Sequence, residues 1–141
     1  MSVMRFVEQA SRAYTLYRDA KLKALGLTAA KATYLASIRR HPGSTQEELA
    51  TRLVYNASSV ARQVESLEKD GFVFRQRCED DKRQFRLYIT KKGEEVLPEV
   101  FRINTSFIEK MNSAFTVEEL ETLSSLCDRL RHCAKEYIKE L

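Results

Sequence analysis

Residues 44–90 read STQEELATRLVYNASSVARQVESLEKDGFVFRQRCEDDKRQFRLYIT, and a change of period inside this stretch decides the fold. Ser44 with Glu47, or Thr45 with Glu48, offers a capping box for a short helix carrying Leu49, Ala50 and Leu53. A few residues on, Asn56 is a good N-cap for a second helix that runs through Leu67 to a stop at Gly71. Two helices joined by so tight a turn predict a helix-turn-helix. From Phe72 the spacing shortens. Phe72 to Arg77 is a short extended run, and Phe85, Leu87 and Ile89 alternate with Gln84, Arg86 and Tyr88, as in a strand with one buried face. Between the runs lies the polar segment CEDDKR, so the expectation is a β-hairpin with a charged tip: a wing.

Helical periodicity extends in both directions from this stretch. Upstream, apolar residues from Val3 to Leu25 recur every three or four positions, and Gly26 supplies a C-terminal stop. Thr28 can then cap a helix carrying Tyr34, Leu35 and Ile38, ended by His41-Pro42-Gly43. Downstream, Thr90 caps a helix that continues through Met111, with Pro98 expected to bend it. Thr116 with Glu119 forms another capping box and opens a last helix. Its Leu120, Leu123, Cys127, Leu130, Ala134, Tyr137 and Leu141 alternate by three and four, which is a coiled-coil-like seam. The fold class is therefore mainly α with a small β wing: a winged helix-turn-helix between long N- and C-terminal helices. At 141 residues with 43% hydrophobic side chains, one folding unit is expected.

Charge suggests where a polyanion would bind. Residues 1–27 carry 5 basic and 2 acidic groups, residues 28–93 carry 13 and 8, and residues 94–141 carry 6 and 10. A basic middle beside an acidic end gives the two regions different tasks. In the helix after Asn56, Val60, Val64 and Leu67 share one face, which leaves Ser58, Arg62, Glu65 and Lys69 opposite, flanked by Ser59 and Gln63. Small residues at its start let such a helix sit deep in a major groove, where Arg62 can reach guanine O6 and N7. Arg75, Arg77, Lys82, Arg83 and Arg86 crowd the hairpin, which suits phosphates or a minor groove. Asp81, two residues before Arg83, can accept hydrogen bonds from guanidinium groups and aim an arginine outward.

At this point the residues resemble a known family. Leu27-Thr28, TQEELA, SSVARQVESLEKDGFV, the Asp81-Lys82-Arg83 form of a DxR wing signature, and LYITKKG together resemble the MarR-family winged-helix core, and the long flanking helices match as well. The resemblance implies a cytoplasmic, bacterial homodimer. Residues 1–26 and 94–141 would intertwine with a second copy, through Val7 and Tyr14 at one end and Leu120, Leu123, Cys127, Leu130 and Tyr137 at the other. Residues 27–93 would read a pseudo-palindromic duplex. Ser58, Ser59, Arg62 and Gln63 would face DNA from the recognition helix, with Arg75, Arg77, Lys82 and the wing-tip Arg83 beside it and Asp81 orienting that arginine. Repression, relieved by a small phenolic or anionic ligand, is the function most often implied. Two features depart from the pattern: Lys31 and Ala32 replace a usual glutamine and aromatic, with the bulk moved to Tyr34, and the first helix lacks the thiol of the peroxide-sensing branch.

Two competing readings stand beside this one. One is a thiol switch at Cys78, whose neighbouring cations favour a thiolate while Glu79, Asp80 and Asp81 oppose it. The other is a winged-helix protein-interaction subunit that never contacts DNA. Cys127, at a seam position, and Cys133, next to one, read as small hydrophobes with structural roles. Neither the cysteines nor His41 and His132 fall at metal-ligand spacing, so no metal or cofactor is expected. No catalytic motif, membrane span or secretion signal is evident, and an enzyme is not expected.

Overall fold

Thr45 and Asn56 set the two helix starts around which the rest is packed. In the computed structural model, which describes residues 2–141, Thr45 Oγ1 accepts from Glu48 N while Glu48 Oε2 accepts from Thr45 N, at 3.2 and 3.1 Å. Of the two possible capping boxes, the Thr45–Glu48 one forms, and Ser44 Oγ instead donates to the His41 carbonyl at 2.7 Å. In chain order the elements are α1 (Met4–Leu22), α2 (Ala29–Arg40), β1 (Ser44–Thr45), α3 (Gln46–Leu53), α4 (Ala57–Lys69), β2 (Val73–Arg77), β3 (Phe85–Ile89), α5 (Lys91–Asn112) and α6 (Val117–Ile138). A 3-10 turn, Lys23–Leu25, follows α1, and Gly26 closes it in the left-handed region at φ 72°. Met1, the first residue of the expected N-terminal segment, lies outside the described residues.

The sheet is antiparallel in the order β1-β3-β2, with Val73 opposite Ile89 and Arg77 opposite Phe85 in the hairpin. The expected two-stranded wing thus gains a third strand. Ser44 and Thr45 pair with Leu87 and Arg86, so the residues that open α3 also tie it to the middle of β3. Two residues are too few to give a period in sequence, and their partners lie more than forty positions away.

Leu22, Leu35, Ile38, Leu49, Val60, Val64, Leu67 and Leu87 are all fully buried in one core, joined by Leu97, Val100 and Ile103 from α5. Each such side chain contributes roughly 1.5–3 kcal/mol relative to exposure. By contact density the chain divides into Met1–Asn104 and Thr105–Leu141. The end of α1 and the first part of α5 therefore share the lobe's core, whatever part they also play in self-association. Helix α5 runs through Pro98 without interruption. The shifted bulk of α2 is explained by packing: Ala32 is fully buried, Tyr34 is buried with its ring 5.5 Å from that of Tyr55, and Lys31 reaches Asp70 at 3.6 Å.

Candidate nucleic-acid interface

Helix α4 is held at its start by Asn56, whose Oδ1 accepts from Ser59 N at 2.8 Å and from Ser58 Oγ at 3.3 Å. Its inner face, Val60, Val64 and Leu67, is wholly buried. The outer face follows from that anchoring: Ser58 and Arg62 are exposed, and Ser59 and Gln63 are half-buried beside them. Among the described residues no carboxylate pairs with Arg62. Its guanidinium is free to meet a ligand.

The turn before α4 carries a strained residue. Val54 caps α3 at φ 59° and ψ 43°, the only non-glycine with positive φ among the described residues, and its side chain remains 48% exposed. A β-branched residue is disfavoured in this region.

The wing tip is a network closed on itself. Gln84 N donates to the Asp81 carbonyl and Cys78 N to the Gln84 carbonyl, both at 3.0 Å. Asp81 Oδ1 accepts from Arg83 N at 3.0 Å and from Arg83 Nε at 3.2 Å, while the Arg83 side chain stays 91% exposed. These bonds, the backbone one foremost, hold the Asp81 carboxyl below its ordinary range. Lys82 projects beside Arg83, and its carbonyl accepts from Arg77 Nη1 at 2.7 Å.

Arg75 has a different environment from the arginine at the tip. Its Nε and Nη2 donate to Glu68 Oε1 at 3.2 and 2.9 Å, and its backbone N–H donates to Glu68 Oε2 at 3.2 Å. Hydrogen bonds from the Arg75 side chain are the main reason that the Glu68 carboxyl lies below its usual value, against the opposing effect of burial. The guanidiniums of Arg75 and Arg77 each lie 5.0 Å from the centre of the Phe85 ring. Arg86 Nη1 donates to the Gly43 carbonyl at 3.0 Å. Glu68 and Phe85 entered the sequence reading only as a helix residue and a buried strand residue. Their meeting with Arg75 depends on the turn at Gly71 and on side-chain reach, neither of which has a periodic signature.

The other candidate residues belong to different elements. On α1, Val7 is 39% exposed and Tyr14 is half-buried with the Arg18 guanidinium 5.0 Å from its ring centre. On α6, Leu120 and Leu130 are half-buried and Leu123, Cys127 and Tyr137 are exposed; no described residue of this helix is fully buried. Cys78 is buried at 6% exposure, which denies it the access that a redox-sensing thiol needs, and Cys133 is exposed. A cavity of about 330 Å³ lies among α1, α2, α3 and α5. Its lining includes Arg18, Arg40, Arg52 and His41 and no carboxylate. Arg18 donates to Asn104 Oδ1 at 2.9 Å and Thr33 Oγ1 at 3.0 Å; Ser37 Oγ and Arg52 Nη1, on two of the lining residues, are buried and have no partner among the described residues.

A core-backed helix that displays serines and an arginine, set beside an arginine-tipped hairpin, defines the class of winged helix-turn-helix DNA-binding proteins. Residues 25–84 match the MarR family profile. Over 98% of its length the chain is 33% identical to the "uncharacterized HTH-type transcriptional regulator YybA" of Bacillus subtilis (strain 168), covering 94% of that protein. Among solved structures it is similar to a MarR protein from Peptoclostridium difficile DA00132, with 27% identity and a TM-score of 0.94, over 97% of this chain and 90% of that one. It also shares the fold of a MarR-type regulator from Listeria monocytogenes complexed with 26mer DNA, at 23% identity and a TM-score of 0.92, over 99% and 95% of the two chains. The chain belongs to the MarR family: it is a DNA-binding transcriptional regulator and not an enzyme. No described helix is long and apolar enough to cross a membrane.

Proposed function

We propose that the chain represses transcription as a homodimer on a pseudo-palindromic operator and is released by a small anionic or phenolic effector. The observation that carries this reading is the pairing of two displayed cations: Arg62 on a core-anchored helix, and Arg83 on a wing tip fixed by Asp81. Arg62, with Ser58, Ser59 and Gln63, reads bases in the major groove, and Lys82 and Arg83 take phosphates or the adjacent minor groove. Self-association through α1 and α6, at Val7, Tyr14 and the seam residues Leu120, Leu123, Cys127, Leu130 and Tyr137, places two such surfaces on one duplex face. Half-sites are then about one helical turn, ~10 bp, apart. Residues 27–93 form the reading lobe, and the segments 1–26 and 94–141 carry the self-association.

The effector reading rests on the cavity. Three arginines in a lining without a carboxylate suit a carboxylate or phenolate with a small apolar body.

Selection of bound sequences from random duplex DNA, followed by binding measurements across salt concentrations, tests the main claim. Wild type should select an inverted repeat and lose affinity steeply with salt. Arg83→Ala should weaken every duplex, and Arg62→Ala should also relax base preference. Unchanged affinity and preference in both variants, or a protein that remains monomeric at working concentrations, would sink the proposal.

A further inference from the structure

The wing carries more arginines than it displays, and how they are divided has a functional meaning. Arg75 gives both its guanidinium and its backbone N–H to the single carboxylate of Glu68, in three hydrogen bonds of 2.9–3.2 Å. Arg77, two positions along the same strand and on the same sheet face, gives Nη1 to the Lys82 carbonyl at the tip. Phe85, which pairs with Arg77 in the strand register, has both guanidiniums 5.0 Å from its ring centre. A continuous line of contacts therefore runs from α4 through Glu68, Arg75, Phe85 and Arg77 to the turn that carries Lys82 and Arg83. On the opposite face of the hairpin Arg86 reaches the Gly43 carbonyl and not α4, and Phe74 stacks on Tyr88 at 5.3 Å while remaining 46% exposed.

We propose that Glu68, Arg75, Phe85 and Arg77 form a brace that fixes the angle of the wing to the recognition helix, so that Arg83 and Arg62 reach DNA together. This rests on the DNA-binding reading above. These four are positioning residues, not contacts. A two-stranded ribbon is marginal by itself and twists readily, and β1 pairs with it only at Leu87 and Arg86, which leaves the turn carrying Lys82 and Arg83 without a third strand. Without the brace, the tip must be ordered at the moment of binding, and that ordering is taken from affinity. Glu68 and Arg75 each need the other. Arg75 without Glu68 is a cation beside Arg77 with only an aromatic face to hold it, and Glu68 without Arg75 is a carboxylate near a polyanion.

The test uses the full-length protein and its selected duplex, with Glu68→Gln, Arg75→Gln, the double variant, Phe85→Leu and Arg83→Ala. Thermal unfolding checks first that each is folded at the assay temperature. The brace predicts that Glu68→Gln and Phe85→Leu each weaken binding about tenfold, although neither removes a cation. It predicts that the double variant costs no more than the costlier single one, because the two residues act as one unit. It also predicts a shallower salt dependence and loss of minor-groove protection at the wing position, as in Arg83→Ala, with base preference at the Arg62 position retained. Arg75 could instead be a phosphate contact masked by Glu68. In that case Glu68→Gln binds as tightly or tighter with a steeper salt slope, and the brace is overturned. If Arg83→Ala impairs binding while Glu68→Gln and Phe85→Leu do not, the brace alone fails. A wild type that binds no duplex overturns the DNA-binding reading along with it.

Discussion

Val54 and Gly93 sit at opposite extremes of backbone fit. Val54 holds a left-handed conformation with a β-branched side chain that lies outside the core, so the strain has no packing return. Left-handed backbone costs an L residue on the order of 1–2 kcal/mol, partly offset for glycine by its entropy when unfolded. Val54→Gly should therefore stabilise the protein by about 1 kcal/mol, raising Tm by roughly 3 °C in calorimetry. Gly93 is the reverse case. A Cβ there would collide with the Phe72 carbonyl and with the Ile89 side chain, where the first turn of α5 passes the hairpin. Backbone cannot yield as a flexible side chain does, so Gly93→Ala should cost roughly 2 kcal/mol or more in denaturant unfolding, well above an ordinary surface change.

At the scale of the element, caps and the Glu68–Arg75 pair carry the predictions. Thr45→Ala removes one half of a complete capping box and should destabilise by about 1 kcal/mol. The pH dependence of Glu68 has a definite sign. Its carboxyl is more acidic in the folded chain than in the unfolded one, so as pH falls the unfolded state takes up the proton first. The contribution of the pair is complete above the ordinary carboxylate value, declines below roughly pH 4.5, and is gone once the native group is protonated. Unfolding free energy measured from about pH 6 down to pH 3 should therefore fall less steeply in Glu68→Gln than in wild type. Local signals made most elements legible in advance. Asn56 and Gly71 bracket α4, and the alternation of Phe85, Leu87 and Ile89 marks β3. Strand β1 has no local signature, because Ser44 and Thr45 gain their meaning only from Leu87 and Arg86. The Glu68–Arg75 contact and the left-handed Val54 lack one for the same reason: tertiary geometry decides both.

For the molecule as a whole, the division between a buried lobe and unburied ends matters most. Leu123→Glu puts a charge into the α6 seam. It should shift light-scattering mass to that of a monomer and lower duplex affinity about a hundredfold, while the NMR signals of α4 and the wing stay in place. The arginine-rich cavity had no signature in the sequence, because Arg18, Arg40 and Arg52 come together only through the packing of α1, α2 and α3. Arg18→Met should blunt release of DNA by aromatic carboxylates such as salicylate, with the operator affinity of the unliganded protein little changed. Unaltered release would remove Arg18 from the proposed effector site.

Helix α6 spans 22 residues, yet no described residue of it is fully buried within its own chain. A peptide helix of that length in water is only marginally persistent, since starting a helix is costly and its own backbone bonds barely compensate. In a dilute solution its amide protons should trade with deuterium nearly as fast as those of an unstructured segment. As copies accumulate the same amides should slow, so the ordering of the chain's last stretch registers how many of its own kind are nearby.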